Sequence, residues 1–301
     1  MGILLGLSAA LSWGFADFLA RYLTRRVGTL RTLLYMQAAG FVLLTLALPW
    51  LGGWGRLTSG LGPWAWAVLT GLVNAGGMLA FYRSLQVGKL AVVTPISASA
   101  PALTVLLSLL AGERLSAVRG AGIVFTLIGV VLVAAALEAP TAKVAAPRAE
   151  AALGASDGLS KRTDNQGVVW AIAAAVGFGM VFWLMGFRVV PRVGAAAGVW
   201  VIRLTTITTT LLAALIARQP VQLRPVRLSW IVLGAGLLDT GGFVLNNLGM
   251  MIEQISVVSV LSSLYGAVTV ALAAILLHET LARRQWIGVL LIFAGIALIS
   301  A

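Results

Sequence analysis

Ten stretches of the 301-residue chain are long enough and apolar enough to cross a bilayer as helices. They run roughly over 2–20, 31–50, 63–83, 90–111, 117–137, 167–187, 195–217, 228–250, 255–277 and 285–301. A hydrocarbon core takes about 20 residues of helix, and lipid offers the backbone no partners, so only helices or closed barrels span it. Composition agrees: 60% of residues are hydrophobic and 10% are charged, against about 25% charged in a soluble domain. The expected fold is therefore all-α, a polytopic membrane protein of ten transmembrane helices. The first span is read as a permanent helix and not a cleaved signal peptide. No basic region precedes it, and it already carries Trp13 and Asp17.

Cysteine is absent, which excludes disulfides, thiolate metal sites and cysteine nucleophiles. The formal net charge of +12 does not point to nucleic acid, because nearly every basic residue lies in a short connection between apolar runs. Such residues anchor topology and touch lipid phosphates. Fifteen of the 21 follow odd-numbered spans, and only Arg56, Arg114, Arg119, Arg188 and Arg192 follow even-numbered ones. Taken alone, that bias places both termini outside the cell.

The chain also repeats. Gly71-Leu72-Val73-Asn74-Ala75-Gly76-Gly77 returns 165 positions later as Gly236-Leu237-Leu238-Asp239-Thr240-Gly241-Gly242. Ala9-Ala10 answers Ala173-Ala174, Val27-Gly28 answers Val193-Gly194, and Thr104-Val105 answers Thr269-Val270. Gly122 and Gly129 answer Gly288 and Gly295. Residues 1–137 and 167–301 are thus expected to be two five-helix repeats. The Ala-, Pro- and charge-rich stretch 138–166 reads as a flexible linker between them. Five is odd, so the second copy enters the membrane inverted. Inverted repeats are how many secondary transporters build a site near the midplane.

Trp13-Gly14, Glu113-Arg114-Leu115, His278-Glu279-Thr280-Leu281 and the Gly-spaced last helix of each half resemble the EamA family of the drug/metabolite transporter superfamily. The resemblance spans both halves and omits only the linker. It implies an exporter or permease of small metabolites such as amino acids or drugs, coupled to protons, in the plasma (bacterial inner) membrane. It also implies cytoplasmic termini, opposite to the charge bias. The family often carries a basic residue in the second helix of each half; Arg203 fits that pattern, whereas Gln37 stands at the matching place.

Ionisable groups inside a span cost about 2.5–3.5 kcal/mol even on the lenient scale, so they face protein or a wet cavity. Three stand out: Asp17, Arg203 and Asp239. Asp239, mid-span, reads as a proton-coupling or substrate-amine site, or else as a structural partner of Arg203. Arg203 could grip a substrate carboxylate with two parallel hydrogen bonds. Asp17, one turn after Trp13, faces a cavity or reaches Arg21. Asn74 can bond helix or solute but carries no proton, and Asn246 shares the Asp239 face, where amides usually join helices. Trp13, Tyr265, Tyr82 and Trp183 could stack an apolar substrate, although single aromatics in spans more often pack. Pro95 and Pro101 should break the fourth span, with no counterpart prolines in the ninth. Glu113 and Glu279 read as caps or salt-bridge residues, and His278 as interfacial.

The substrate/proton-binding set is therefore Asp239, Arg203, Asp17, Asn74, Asn246, Trp13 and Tyr265. An intramembrane enzyme would need motifs such as HExxH or GxSxG, which the chain lacks. A lipid flippase and a non-transporting sensor or assembly protein are the other readings. No cofactor is expected. The partners are a small-molecule substrate, membrane lipids and protons, without nucleic acid, and the chain is read as a monomer.

Overall fold

A computed structural model describes residues 1–27, 29–51, 60–87, 96–97, 99–135, 157–216, 229–276 and 283–300. All of their regular structure is helical. The first half contains α1 (Gly2–Val27), α2 (Thr29–Ala47), α3 (Leu61–Val87), α4 (Ala100–Leu110) and α5 (Ala117–Ala135). The second contains α6 (Asp157–Leu184), a π-helical segment (Met185–Val189), α7 (Val190–Val193), α8 (Ala195–Ile216) and α9 (Ser229–Ile252). It closes with α10 (Ile255–Ser262), α11 (Tyr265–Leu276) and α12 (Arg283–Ser300). Six of these helical stretches are long and apolar enough to cross a membrane, and four shorter apolar ones accompany them.

The helices interleave across the two halves. α5 lies along α12, α1 along α9, and α3 along α6. Contacts come in matched pairs: α3 on α8 with α9 on α2, and α1 on α11 with α6 on α4. Glycine makes the closest of them. A Cβ on Gly122 would lie 2.7 Å from the Gly295 carbonyl oxygen, and one on Gly129 2.6 Å from that of Gly288. Without a hydrophobic drive between helices in lipid, such close backbone packing is a main source of association. One buried cluster joins Leu44 of α2 and Leu48 just beyond its end to Val199 and Ile202 of α8, with Val181 and Met185 among them. A second joins Ala10 of α1 to Val257, Leu261 and Ile292. Outward-facing Leu4, Leu46, Leu110, Ile216 and Phe293 stay exposed, as a lipid-facing surface requires.

Several threonine hydroxyls inside the spans are satisfied by their own helices. Thr45, Thr70, Thr126 and Thr208 each donate to the carbonyl four residues back, at 2.7 to 2.9 Å. Where the chain leaves the helices, Glu113 accepts from the Ser256 hydroxyl (2.7 Å) and backbone N–H (3.3 Å), capping α10. Arg119 pairs with Glu253 at 3.0 Å and donates to Gln254 at 3.1 Å, tying α5 to the end of α9. Glu113 thus fills the capping role read from the sequence; Glu279 and His278 lie outside the described residues.

Two expectations need correction. The stretch 138–166 was expected to be linker throughout, yet α6 begins at Asp157. The acidic residue suits a helix N-terminus, where the dipole favours negative charge. The rest of that stretch lies outside the described residues. Prolines were expected to break only the fourth span. Pro95 is outside the described residues, and Pro101 sits in the first turn of α4, where a missing N–H costs nothing. The ninth span is interrupted as well, by a turn at Ser263–Leu264. Its cause is serine: the hydroxyls of Ser259, Ser262 and Ser263 donate to the carbonyls of Ser256, Ser259 and Val260 at 2.7 to 3.1 Å. Such back-bonding competes with the helical ladder and bends it. Ser99 does the same to Ile96 at 2.7 Å just before α4. The two restarts, Ala100 and Tyr265, stand 165 residues apart.

Candidate functional site

Among the described residues, Arg203 on α8 is the largest fully buried side chain, 1% exposed. A guanidinium cannot shed its charge, so its neighbours must balance it. Its Nη1 lies 2.7 Å from Asp239 Oδ2 and 2.5 Å from Gln37 Oε1, joining α8 to both α9 and α2. The Phe243 ring, one turn after Asp239, lies 4.9 Å from the guanidinium carbon, a cation–π distance. Nε and Nη2 have no hydrogen-bond partner among the described residues. The Asp239 side chain is 18% exposed. The pair is therefore lopsided: a fully buried cation, a partly wet carboxylate, and one unused edge of the guanidinium.

α1 fixes this point of α9. The Trp13 indole N–H donates to the Asp239 carbonyl at 3.0 Å, and the Ser12 hydroxyl to the Leu238 carbonyl at 2.8 Å. Trp13 comes this close because Gly242 offers no side chain; a Cβ there would lie 2.7 Å from the indole. Around Trp13 gather Phe243 (ring centroids 5.0 Å apart, edge-on), Phe182 (5.8 Å) and Tyr265 (6.1 Å, edge-on). Asp17, one turn further along α1, is exposed and within electrostatic reach of both Asp239 and Tyr265. The arrangement offers cation, carboxylates and an aromatic wall side by side.

Of the residues read as candidates, Asp239, Arg203, Trp13, Tyr265 and Asp17 gather here. Asn74 does not join them. It is buried on α3 and donates to the Thr206 hydroxyl at 3.1 Å. Asn246 is fully buried with its Nδ2 3.6 Å from Met250 Sδ on the same helix, and Asn247 donates to the Ala195 carbonyl at 3.4 Å. Trp183 stacks on Phe187 with centroids 5.5 Å apart, away from the Trp13 group. The side chains of Tyr82 and Arg21 lie outside the described residues. Of the paired glycines, the second lies tighter: a Cβ on Gly77 would lie 3.4 Å from the Phe178 ring and one on Gly242 2.7 Å from the Trp13 indole, against 3.8 Å from Ser12 for Gly241 and open space for Gly76.

Sequence reasoning passed over Gln37, Phe182 and Phe243 as site residues. Gln37 stands 166 residues before Arg203, and repeat mates that touch mark the place where the halves meet. That signal was available. Phe243 was legible too, four residues after Asp239 on the same face. Among the described residues, no group of three or more His, Cys, Asp or Glu could hold a metal.

Comparison with known proteins bears on the fold and the family. One solved crystal structure of a protein aligns with TM-score 0.76 at 22% identity, covering 99% of this chain and 94% of the other. At that identity the likeness speaks for the fold. The search of curated proteins found no significant match. The sequence model of the EamA-like transporter family matches residues 1–135 and 165–301, which takes in every helix that builds the site. The chain belongs to the EamA-like transporter family.

Proposed function

We propose that the protein is a proton-coupled secondary transporter that exports small carboxylate-bearing metabolites such as amino acids. As a member of a transporter family it is an integral membrane protein and not an enzyme. In this reading it resides in the plasma (bacterial inner) membrane. Its ten spans form two inverted five-helix repeats, 1–137 and 167–301, that rock about a site near the midplane. The matched helix contacts and the double match to the family model support that architecture.

One observation carries the substrate reading: Arg203 is buried and has Nε and Nη2 without partners. That edge of a guanidinium suits the two oxygens of a carboxylate. Trp13, Phe182, Phe243 and Tyr265 supply a wall for an apolar side group. A substrate ammonium and a proton would be rivals for Asp17 and Asp239. Since one must leave before the other binds, the outcome is exchange, with inward protons driving the amino acid outward.

The test is flux in proteoliposomes. Amino acid movement should follow an imposed pH gradient and stop when the gradient is collapsed. The same vesicles should not scramble fluorescent lipid. Lipid scrambling without solute flux would overturn the exporter reading in favour of a flippase.

A further inference from the structure

Outside the Arg203 site, a cavity of about 490 Å³ opens between the end of α4 and the π-helical segment. Leu107, Leu110, Ala111, Trp183, Phe187 and Arg188 line it, and its size lies in the ordinary range for ligand sites. We propose that it binds an anionic phospholipid, with the phosphate held by Arg188 and the indole N–H of Trp183 and an acyl chain along Leu107, Leu110 and Phe187.

Three observations support a built site. First, Trp183 Nε1 is buried without a hydrogen-bond partner. A buried indole donor normally finds one; the nitrogen is closed to water, so a shift of the ring toward the cavity brings it to the ligand oxygen. Second, the Arg188 guanidinium stacks over the Trp66 ring at 5.1 Å, and no carboxylate lines the cavity. Positive charge is therefore available to a ligand at the rim. Third, Phe187 and Arg188 belong to the π-helical turn, followed at once by Pro191 in α7. The extra residue of a π turn re-aims side chains relative to the helix before it, and such turns recur at functional sites. The positions 165 residues earlier hold Phe18 and Leu23, so neither donor recurs at that spacing.

Location selects a lipid over a soluble anion. The cavity lies where α4 ends, just before the chain leaves the helix at Ala111–Gly112. Beside it, Leu106, Leu109 and Leu110 are exposed and face the acyl chains. A molecule arriving sideways from the bilayer presents its tail to that surface and its phosphate at the depth of Arg188. Tryptophan and arginine at this level are the usual interfacial anchors, and basic pockets between membrane helices bind anionic head groups.

The experiment uses the intact protein in nanodiscs of phosphatidylcholine with a minor share of phosphatidylglycerol. Lipids retained on extraction are counted by native mass spectrometry. The unaltered chain should hold phosphatidylglycerol about tenfold over its share, equivalent to about 1.4 kcal/mol. Arg188→Gln and, separately, Trp183→Phe should each cut that preference at least fivefold, while Arg188→Lys keeps most of it. Trp183→Phe retains the ring and removes only the donor, so it separates ligation from folding. Equal retention of both lipids, or unchanged preference in Arg188→Gln, would overturn the proposal. So would Arg188-dependent binding of inorganic phosphate at the same strength, because the site would then recognise a free anion.

Discussion

Two helix crossings hold the middle of the molecule, α9 on α2 and α3 on α8. Each is set by a glycine at the same place in the repeat. A Cβ on Gly236 would lie 2.8 Å from that of Ala39, and one on Gly71 2.6 Å from that of Thr205. Three residues further on, the crossings diverge. Asp239 meets a buried arginine at 2.7 Å, whereas Asn74 meets a threonine hydroxyl at 3.1 Å. Strict symmetry would send Asn74 to α8 and Asp239 to α2, yet both turn toward α8. The difference teaches that backbone distance and chemistry are separate layers. Glycines fix how near the helices come, and one helix of the second half gathers the polar partners of both.

The largest expected effect comes from removing the charge at one crossing. Asp239→Asn should abolish proton-driven flux and lower the melting temperature, because Arg203 is left buried and unbalanced, at a cost of about 3–5 kcal/mol. Adding Arg203→Gln should recover most of the stability and none of the flux. Full flux in Asp239→Asn would show that the two crossings differ only in packing. Next, Gly71→Val and Gly236→Val should each destabilise by about 1–3 kcal/mol through overpacking, read as matched drops in melting temperature. A large drop at one and none at the other would break the equivalence of the frames. The smallest effect is at the neutral crossing. Asn74→Ala should cost about 0.6 kcal/mol, typical of one interhelical hydrogen bond in a membrane, with flux unchanged within about twofold. A tenfold loss of flux would bring Asn74 into the site.

The all-helical, membrane-embedded character was legible because lipid leaves the backbone so few options, and the matched helix contacts because glycines and small residues recur at a fixed spacing. The Asp239–Arg203 pairing was legible as one of two fates for a mid-span carboxylate, and the structure shows the two groups joined. The interruption of the ninth span was not. Ser259, Ser262 and Ser263 look individually harmless in an apolar run, and only their shared back-bonding breaks the ladder. The π turn was hidden for a different reason. Its Gly186 packs against a residue distant in the chain, where a Cβ would lie 2.5 Å from the Ile255 side chain, and sequence spacing does not reveal such a neighbour. The early start of α6 was missed because charge and alanine suit a helix in water as well as they suit a linker.

The turn at Ser263–Leu264 has an electrical consequence. α10 is eight residues long, about 12 Å at 1.5 Å per residue, so it stops well inside a core of roughly 30 Å. Its carbonyl end and the amide end of α11 therefore terminate in the low-dielectric interior, each carrying up to about half an elementary charge. Tyr265, the first residue of α11, stands at that junction beside Trp13. A charged solute reaching this depth meets dipoles already oriented and fixed by the fold. Less of the loss of its hydration shell then has to be offset by rearranging the protein.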